Sequence, residues 1–136
     1  MGESQVSGIK AACFPCDTCL GTTFDTTLEK FGAAVAEESL TKSANVLLGP
    51  TLDVIRSPLG GRNYETYSED LLVLGTLAAA YVRGCQVNGK VGATPRHFVA
   101  NDAENQRTTL NVEVEEQALR EIYLKPFQLV LKLSNP

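Results

Sequence analysis

Residues 71–86, LLVLGTLAAAYVRGCQ, are apolar nearly all the way round a helix. Such a helix has to be covered on more than one side, so it belongs between other elements rather than on a surface. The pattern predicts a buried helix over 71–86, with Ser68 able to cap it. Glu69 and Asp70 complement the positive end of its dipole. Within this run, residues 71–82 are interrupted by Gly75 and Thr76. That falls short of the roughly 20 apolar residues needed to cross a bilayer.

The neighbouring segments supply the covering elements. Thr26 and Glu29 make a capping-box pattern, and Leu28, Phe31, Val35 and Leu40 follow at roughly helical spacing. A first helix is expected over residues 26–43. Val46 to Leu48 then reads as a short buried strand closed by Gly49-Pro50. A loop of about twenty residues, 51–67, follows, long enough to be functional rather than a mere connection. Residues 90–93 read as the next strand, and 94–101 as its C-terminal end and exit loop.

A last helix is expected over 113–133, with Val114, Ala118, Ile122, Leu129 and Leu133 on one stripe. Glu116–Arg120 and Glu121–Lys125 are favourable i, i+4 pairs on its polar side. Pro126 should kink it near Ile122, because proline lacks the N–H that would bond that carbonyl. The order α-β-loop-α-β-loop-α is the rhythm of a parallel sheet wrapped by helices, an α/β fold. It is too little for a closed eight-stranded barrel, which needs roughly 250 residues.

Composition excludes several classes. Of 136 residues, 43% are hydrophobic and 21% charged, which argues against disorder. The net charge of −4 gives no reason to expect nucleic acid or an anionic membrane as partner. The opening MGESQVSGIKA lacks the basic and then apolar layout of a signal peptide, which favours a cytoplasmic setting, with secretion open if the true N-terminus is missing.

Chemistry-bearing residues gather at two places, 47–70 (LLGPTLDVIRSPLGGRNYETYSED) and 94–102 (TPRHFVAND), each just after a short apolar run. In α/β proteins, sites are built at such strand ends. Arg62 and Glu65 could be a simple loop ion pair, but the adjacent Gly60-Gly61 lets backbone approach a ligand closely. His97 is the only histidine and could merely hold the strand end by hydrogen bonding. Asn101, Asp102 and Glu104 are expected to organise their loop.

Two other motifs carry weaker signals. Cys13, Cys16 and Cys19 form a C-x2-C-x2-C run that could hold zinc with His97 or Cys85, although Pro15 and the apolar surroundings suit a packed loop with reduced thiols better. No metal site is expected. Residues 84–90 (GCQVNGK) nearly fit a phosphate loop, but Val91 leaves no hydroxyl for magnesium and the segment runs from helix to strand, the wrong direction.

Several long blocks resemble glycoside hydrolase family 3, particularly fungal β-glucosidases: AACFPCDTCLGTTFD, LLGPTLDVIRSPLGGRNYETYSED, LAAAYVRGCQ, HFVANDAENQR and ALREIYLKPFQ. The similarity runs from about Ala11 to Pro136. It implies a partial (β/α)8 TIM-like barrel of two to three β/α units, residues 1–136 forming one incomplete N-terminal domain. It also implies hydrolysis of terminal β-D-glucosyl residues with retention, through a carboxylate nucleophile and a separate acid about 5 Å apart, without a cofactor. By the same resemblance Arg62, Arg96 and His97 bind sugar hydroxyls, with Glu65 as a partner of Arg62. The family's lysine has become Arg96, a bulkier donor with a fixed fork. The resemblance places the sugar-binding aspartate before the AACFP block, and the nucleophile and acid/base beyond Pro136. The expectation is therefore part of a substrate site, a β-glucoside as ligand, and the rest of a hydrolase needed to complete the barrel. A non-catalytic sugar-binding α/β protein or inactive remnant is the alternative.

Overall fold

A computed structural model describes residues 2–3 and 10–135. Most of the N-terminal stretch read above for a leader therefore lies outside the described residues. The chain begins with an antiparallel pair, β1 (Gly2–Glu3) and β2 (Lys10–Ala11), followed by a short helix α1 (Asp17–Gly21). Then come α2 (Leu28–Leu40), β3 (Val46–Leu47), a 3-10 turn (Asn63–Glu65) and α3 (Leu71–Gln86). The last elements are β4 (Gly92–Ala93), α4 (Glu116–Ala118), a π turn (Leu119–Tyr123) and α5 (Lys125–Ser134).

The helix α3 forms over the residues the apolar run predicts, and it is the centre of the molecule. Leu74, Leu77, Ala78, Ala79, Ala80, Tyr81, Val82 and Cys85 are all buried. Side chains as deeply buried as Leu74, Leu77 and Val82 each contribute about 1.5–3 kcal/mol. α2 and α5 are its main helical partners. Arg83 ties the three together: its Nε donates to Glu29 Oε2 on α2 at 3.1 Å, and its Nη1 to the Leu133 carbonyl on α5 at 3.1 Å.

Close approach of α2 and α3 requires two glycines. A Cβ on Gly84 would collide with the Glu29 backbone carbonyl, and one on Gly32 with that of Tyr81. Backbone cannot move aside as a side-chain tip can, so Gly84→Ala is expected to cost about 2 to 3 kcal/mol through overpacking. Chemical denaturation of the two proteins measures it, and an unchanged midpoint would show that the helices can slide apart.

The helix starts differ from the sequence expectation. Thr26 and Glu29 do not close a capping box. Instead Asp25 accepts from the Thr27 backbone N–H at 2.8 Å and from its hydroxyl at 2.6 Å, while Glu29 turns to Arg83. At α3, Asp70 rather than Ser68 is the cap, accepting from Val73 N–H at 2.9 Å; Ser68 Oγ accepts from Asp70 N–H at 3.0 Å. The expected last helix is divided. Pro126 lies in the first turn of α5, and the π turn ends just before it. A π turn inserts one extra residue and rotates the following face. The buried stripe accordingly passes from Ile122 to Pro126, Phe127 and Val130, leaving Leu133 42% exposed. Glu116–Arg120 forms at 2.7 Å, whereas Glu121 accepts from Gln117.

β3 and β4 pair in parallel, Val46 with Gly92 and Leu47 with Ala93. This is a mixed α/β arrangement with few, short parallel strands. Beyond β3, Thr51 forms single bridges with both Thr66 and Arg96, so the long 51–67 loop returns to the strand ends and brings its residues beside those that follow β4.

Candidate functional site

The sequence-predicted site residues Arg62, Arg96 and His97 come together at these strand ends. Thr51 sets the meeting point, and backbone bonds hold it: Arg96 N–H donates to the Pro50 carbonyl at 2.9 Å, and Leu52 N–H donates to the Arg96 carbonyl. The 57–66 segment is folded by its own polar groups. Asn63 Nδ2 donates to the Ser57 carbonyl at 2.7 Å, and Gly60 N–H donates to the same carbonyl at 3.1 Å. From α1, Thr18 Oγ1 donates to the carbonyls of Asn63 and Thr66 at 2.6 and 3.0 Å. The short helix, unpredicted from sequence, thus clamps the turn that presents Arg62.

Arg62 is the hub. Its Nε and Nη2 donate to the two carboxylate oxygens of Glu65 at 2.9 and 2.5 Å, a fork-to-fork pair. Its Nη1 reaches Glu104 Oε1 at 3.3 Å, and its Nη2 lies 3.2 Å from His97 Nε2. The paired guanidinium is held above its already high range, first by the hydrogen bond to Glu65. Glu65 is correspondingly held below the usual carboxylate range, first by the hydrogen bond from Arg62. Arg96 Nε donates to His97 Nε2 at 2.8 Å, and its Nη2 lies 3.9 Å from Glu65.

The loop acids separate. Glu104 does more than organise its loop: besides Arg62 it meets Arg107 at 3.2 Å and Asn101 at 3.4 Å. Asp102 turns away to the Tyr123 hydroxyl at 3.4 Å. The two are not a facing pair.

Asp53 is the site member that sequence reasoning missed. Its Oδ2 lies 2.6 Å from His97 Nδ1, and its Oδ1 is buried without a hydrogen-bond partner among the described residues. Burial pushes its carboxyl above the ordinary range, opposed by the hydrogen bond with His97 and the charge of Arg62. The available signal was a lone carboxylate between Leu52 and Val54, just after the Gly49-Pro50 that closes the strand. Asp17 at the start of α1 is a second missed acid. It lines a cleft of about 360 Å³ together with Thr51, Tyr64, Glu65 and Tyr81. Burial, then the charge of Glu65, pushes its carboxyl up to about 7.

The other motifs stay apart from this cluster. Cys13, Cys16 and Cys19 are exposed free thiols, while Cys85 is buried in α3. Among the described residues no three His, Cys, Asp or Glu side chains are grouped to hold a metal ion. Gly84 is covered by the Glu29 backbone, so the 84–90 segment offers no phosphate cradle.

A parallel strand pair wrapped by helices, with a guanidinium–carboxylate–imidazole cluster at its C-terminal ends, is the α/β layout in which sites for small polar ligands are built. The family profile described as the glycosyl hydrolase family 3 N terminal domain matches residues 1–134. The chain belongs to glycosyl hydrolase family 3.

Individual proteins agree. Beta-glucosidase B of Emericella nidulans is 49% identical over 136 residues, covering 99% of this chain but 16% of its own length. A probable beta-glucosidase I of Aspergillus fumigatus is 49% identical over 98% of this chain and 16% of its own. The solved structure of beta-glucosidase from Kluyveromyces marxianus in complex with glucose superposes with a TM-score of 0.91 at 48% identity, over 95% of this chain and 16% of that one. That of beta-glucosidase 3B from Thermotoga neapolitana in complex with glucose gives 0.89 at 40% identity, over 100% and 19%. The chain therefore spans about 16% of the length of the curated relatives it matches.

Proposed function

We propose that this chain is part of the barrel domain of a retaining β-glucosidase and that Arg62, Arg96 and His97 bind the hydroxyls of the terminal glucosyl residue. The observation that carries this reading is the convergence of all three side chains at the ends of β3 and β4, in a chain whose relatives include glucose-bound β-glucosidases. In this reading the chain contributes two β/α units. The open edges of the strand pair, and Val46 and Leu48 at 63% and 70% exposure, are surfaces for further strands to cover.

The division of labour follows from the donor set. Arg62 is already balanced by Glu65 and Glu104, so it offers a sugar directional N–H groups rather than a free charge. Such groups hold a pyranose in one orientation. Because Glu65 and Glu104 balance the guanidinium, they do so without adding net positive charge beside the anomeric carbon, where positive charge develops. The reaction is attack by a carboxylate to give a glycosyl-enzyme, then hydrolysis by water, with a second carboxyl group as acid and then base. That carboxyl pair is supplied by residues outside 1–136, and no cofactor takes part.

The test is a chimaera in which residues 10–135 replace the matching stretch of β-glucosidase B of Emericella nidulans. It is expected to hydrolyse an aryl β-glucoside, and His97→Ala is expected to lower its turnover at least ~100-fold. The 136-residue chain alone is expected to show no hydrolysis. A fully active His97→Ala chimaera, or turnover by the chain alone, would overturn the assignment.

A further inference from the structure

The two ring nitrogens of His97 face opposite chemistry. Nε2 lies 2.8 Å from Arg96 Nε and 3.2 Å from Arg62 Nη2, whereas Nδ1 lies 2.6 Å from Asp53 Oδ2. A guanidinium has N–H donors and no acceptor. Nε2 must therefore accept, which puts the proton of a neutral ring on Nδ1, donated to Asp53. The carboxylate is fixed in place for that task. Its neighbours Leu52 and Val54 are 2% and 4% exposed, and the Asp53 backbone carbonyl accepts from Thr66 Oγ1 at 2.5 Å. In an extended stretch, alternate residues point to opposite sides. Anchoring residues 52 and 54 in the core thus aims Asp53 the other way, at the imidazole.

We propose that Asp53 is a positioning residue that keeps the His97 proton on Nδ1, leaving Nε2 as an acceptor between guanidinium donors, and that the site thereby selects a neutral hydroxyl over an anionic group. This rests on the glucosyl-binding reading above and narrows it. A hydroxyl both donates and accepts. On displacing the guanidinium N–H groups from Nε2 it can give its proton to that nitrogen and take a hydrogen bond from the Arg62 or Arg96 donor it frees. A carboxylate or phosphate only accepts, so it would meet the Nε2 lone pair with one of its own. Two arginines by themselves would favour an anion. Here, however, Arg62 is paired with both Glu65 and Glu104, and Glu65 also lies beside Arg96. What remains unsatisfied on ligand entry is direction, not charge.

Because His97 is the only histidine, nitrogen-15 NMR of the labelled 136-residue chain gives one pair of ring signals, whose shifts report which nitrogen bears the proton. In the neutral ring the proton is expected on Nδ1 alone. Asp53→Leu removes the acceptor and should release that preference. Asp53→Asn should keep it, since an amide oxygen can still accept. Calorimetric titration of the chimaera described above with D-glucose is expected to show about ten-fold weaker binding for Asp53→Leu and less than about three-fold for Asp53→Asn. D-Glucuronate should bind the parent chimaera at least about ten-fold more weakly than glucose. A ring protonated on Nε2, a tautomer that Asp53→Leu leaves unchanged, or equal affinity for glucuronate would each overturn the proposal. Should Asp53→Leu fail to fold, the spectra of the unsubstituted chain and Asp53→Asn still decide. If the parent chimaera binds no glucose at all, the glucosyl-binding reading fails, while the spectrum of the chain still reports the tautomer.

Discussion

Arg62→Ala in the chimaeric hydrolase is expected to lower kcat/KM on an aryl β-glucoside by about 1,000-fold, roughly 4 kcal/mol of transition-state stabilisation. The size follows from its position as the hub of the cluster. The guanidinium touches Glu65, Glu104 and His97 at once, so on the proposed reading its removal deletes donors to the sugar. It also leaves Glu65 with only Arg96 at 3.9 Å, and Glu104 with only the exposed Arg107, as cationic partners among the described residues. Arg62→Lys restores charge but not the fork, so it should recover only part of the loss. In the isolated chain the same change has a pH signature. Glu65 is held below its ordinary range by Arg62, so the pair stabilises the fold above about pH 4.5 and that contribution disappears as acid protonates the carboxylate. Arg62→Ala and the unsubstituted chain should therefore differ in melting temperature at neutral pH and converge in acid. A chimaera whose Arg62→Ala form stays within about three-fold of its parent would remove Arg62 from the substrate site.

Which parts of this were legible beforehand depends on how far apart the interacting residues lie. The helix over Leu71–Gln86 could be read from the chain because burial on several sides leaves a nearly continuous apolar run. The strand at Val46–Leu47 was marked by its apolar start and by Gly49-Pro50. Caps were less readable. Thr26, Thr27 and Asp25 are all capable N-terminal residues, and only the entry angle of the chain decides that Asp25 accepts the hydrogen bonds. Nor does a periodic pattern announce a π turn. The phase slip at 119–123 is visible only in the result, with Val130 buried where Leu133 was expected.

The site divides in the same way. Arg62 and Glu65 are three residues apart and sit beside two glycines, so their pairing is written locally. Asp53 and His97 are separated by 44 residues and meet only because Thr51 bridges to Arg96. Glu104 likewise reaches Arg62 across 42 residues. Alternation in 52–54 could have placed Asp53 away from the core, but nothing in the sequence says what it would face. Family resemblance pointed to sugar-gripping groups and was silent about the acid that orients one of them.

Asp17→Asn should stabilise the chain by an amount that grows with pH. In the folded protein, burial and then the Glu65 charge push the Asp17 carboxyl up to about 7, against an ordinary value of 3.8. Between those two values the folded state holds a proton that the unfolded state has released. Stability therefore falls as pH rises through that window and levels off above it. A shift of about three pH units is worth on the order of 4 kcal/mol. Asparagine mimics the neutral acid and carries no such penalty. The variant should match the parent near pH 4 and melt on the order of 10 °C higher near pH 8. Asp53 also titrates high, but it is present in both proteins, so the difference between the two melting curves isolates Asp17. Thermal unfolding followed by circular dichroism across that range decides the matter. Parallel pH curves would mean that the carboxylate is solvated in the cleft, and its opposition to Glu65 would then be too weak to matter. A widening gap would show that the fold carries a destabilising acid beside the carboxylate that holds Arg62, where a substrate site tolerates strain that a purely structural corner would shed.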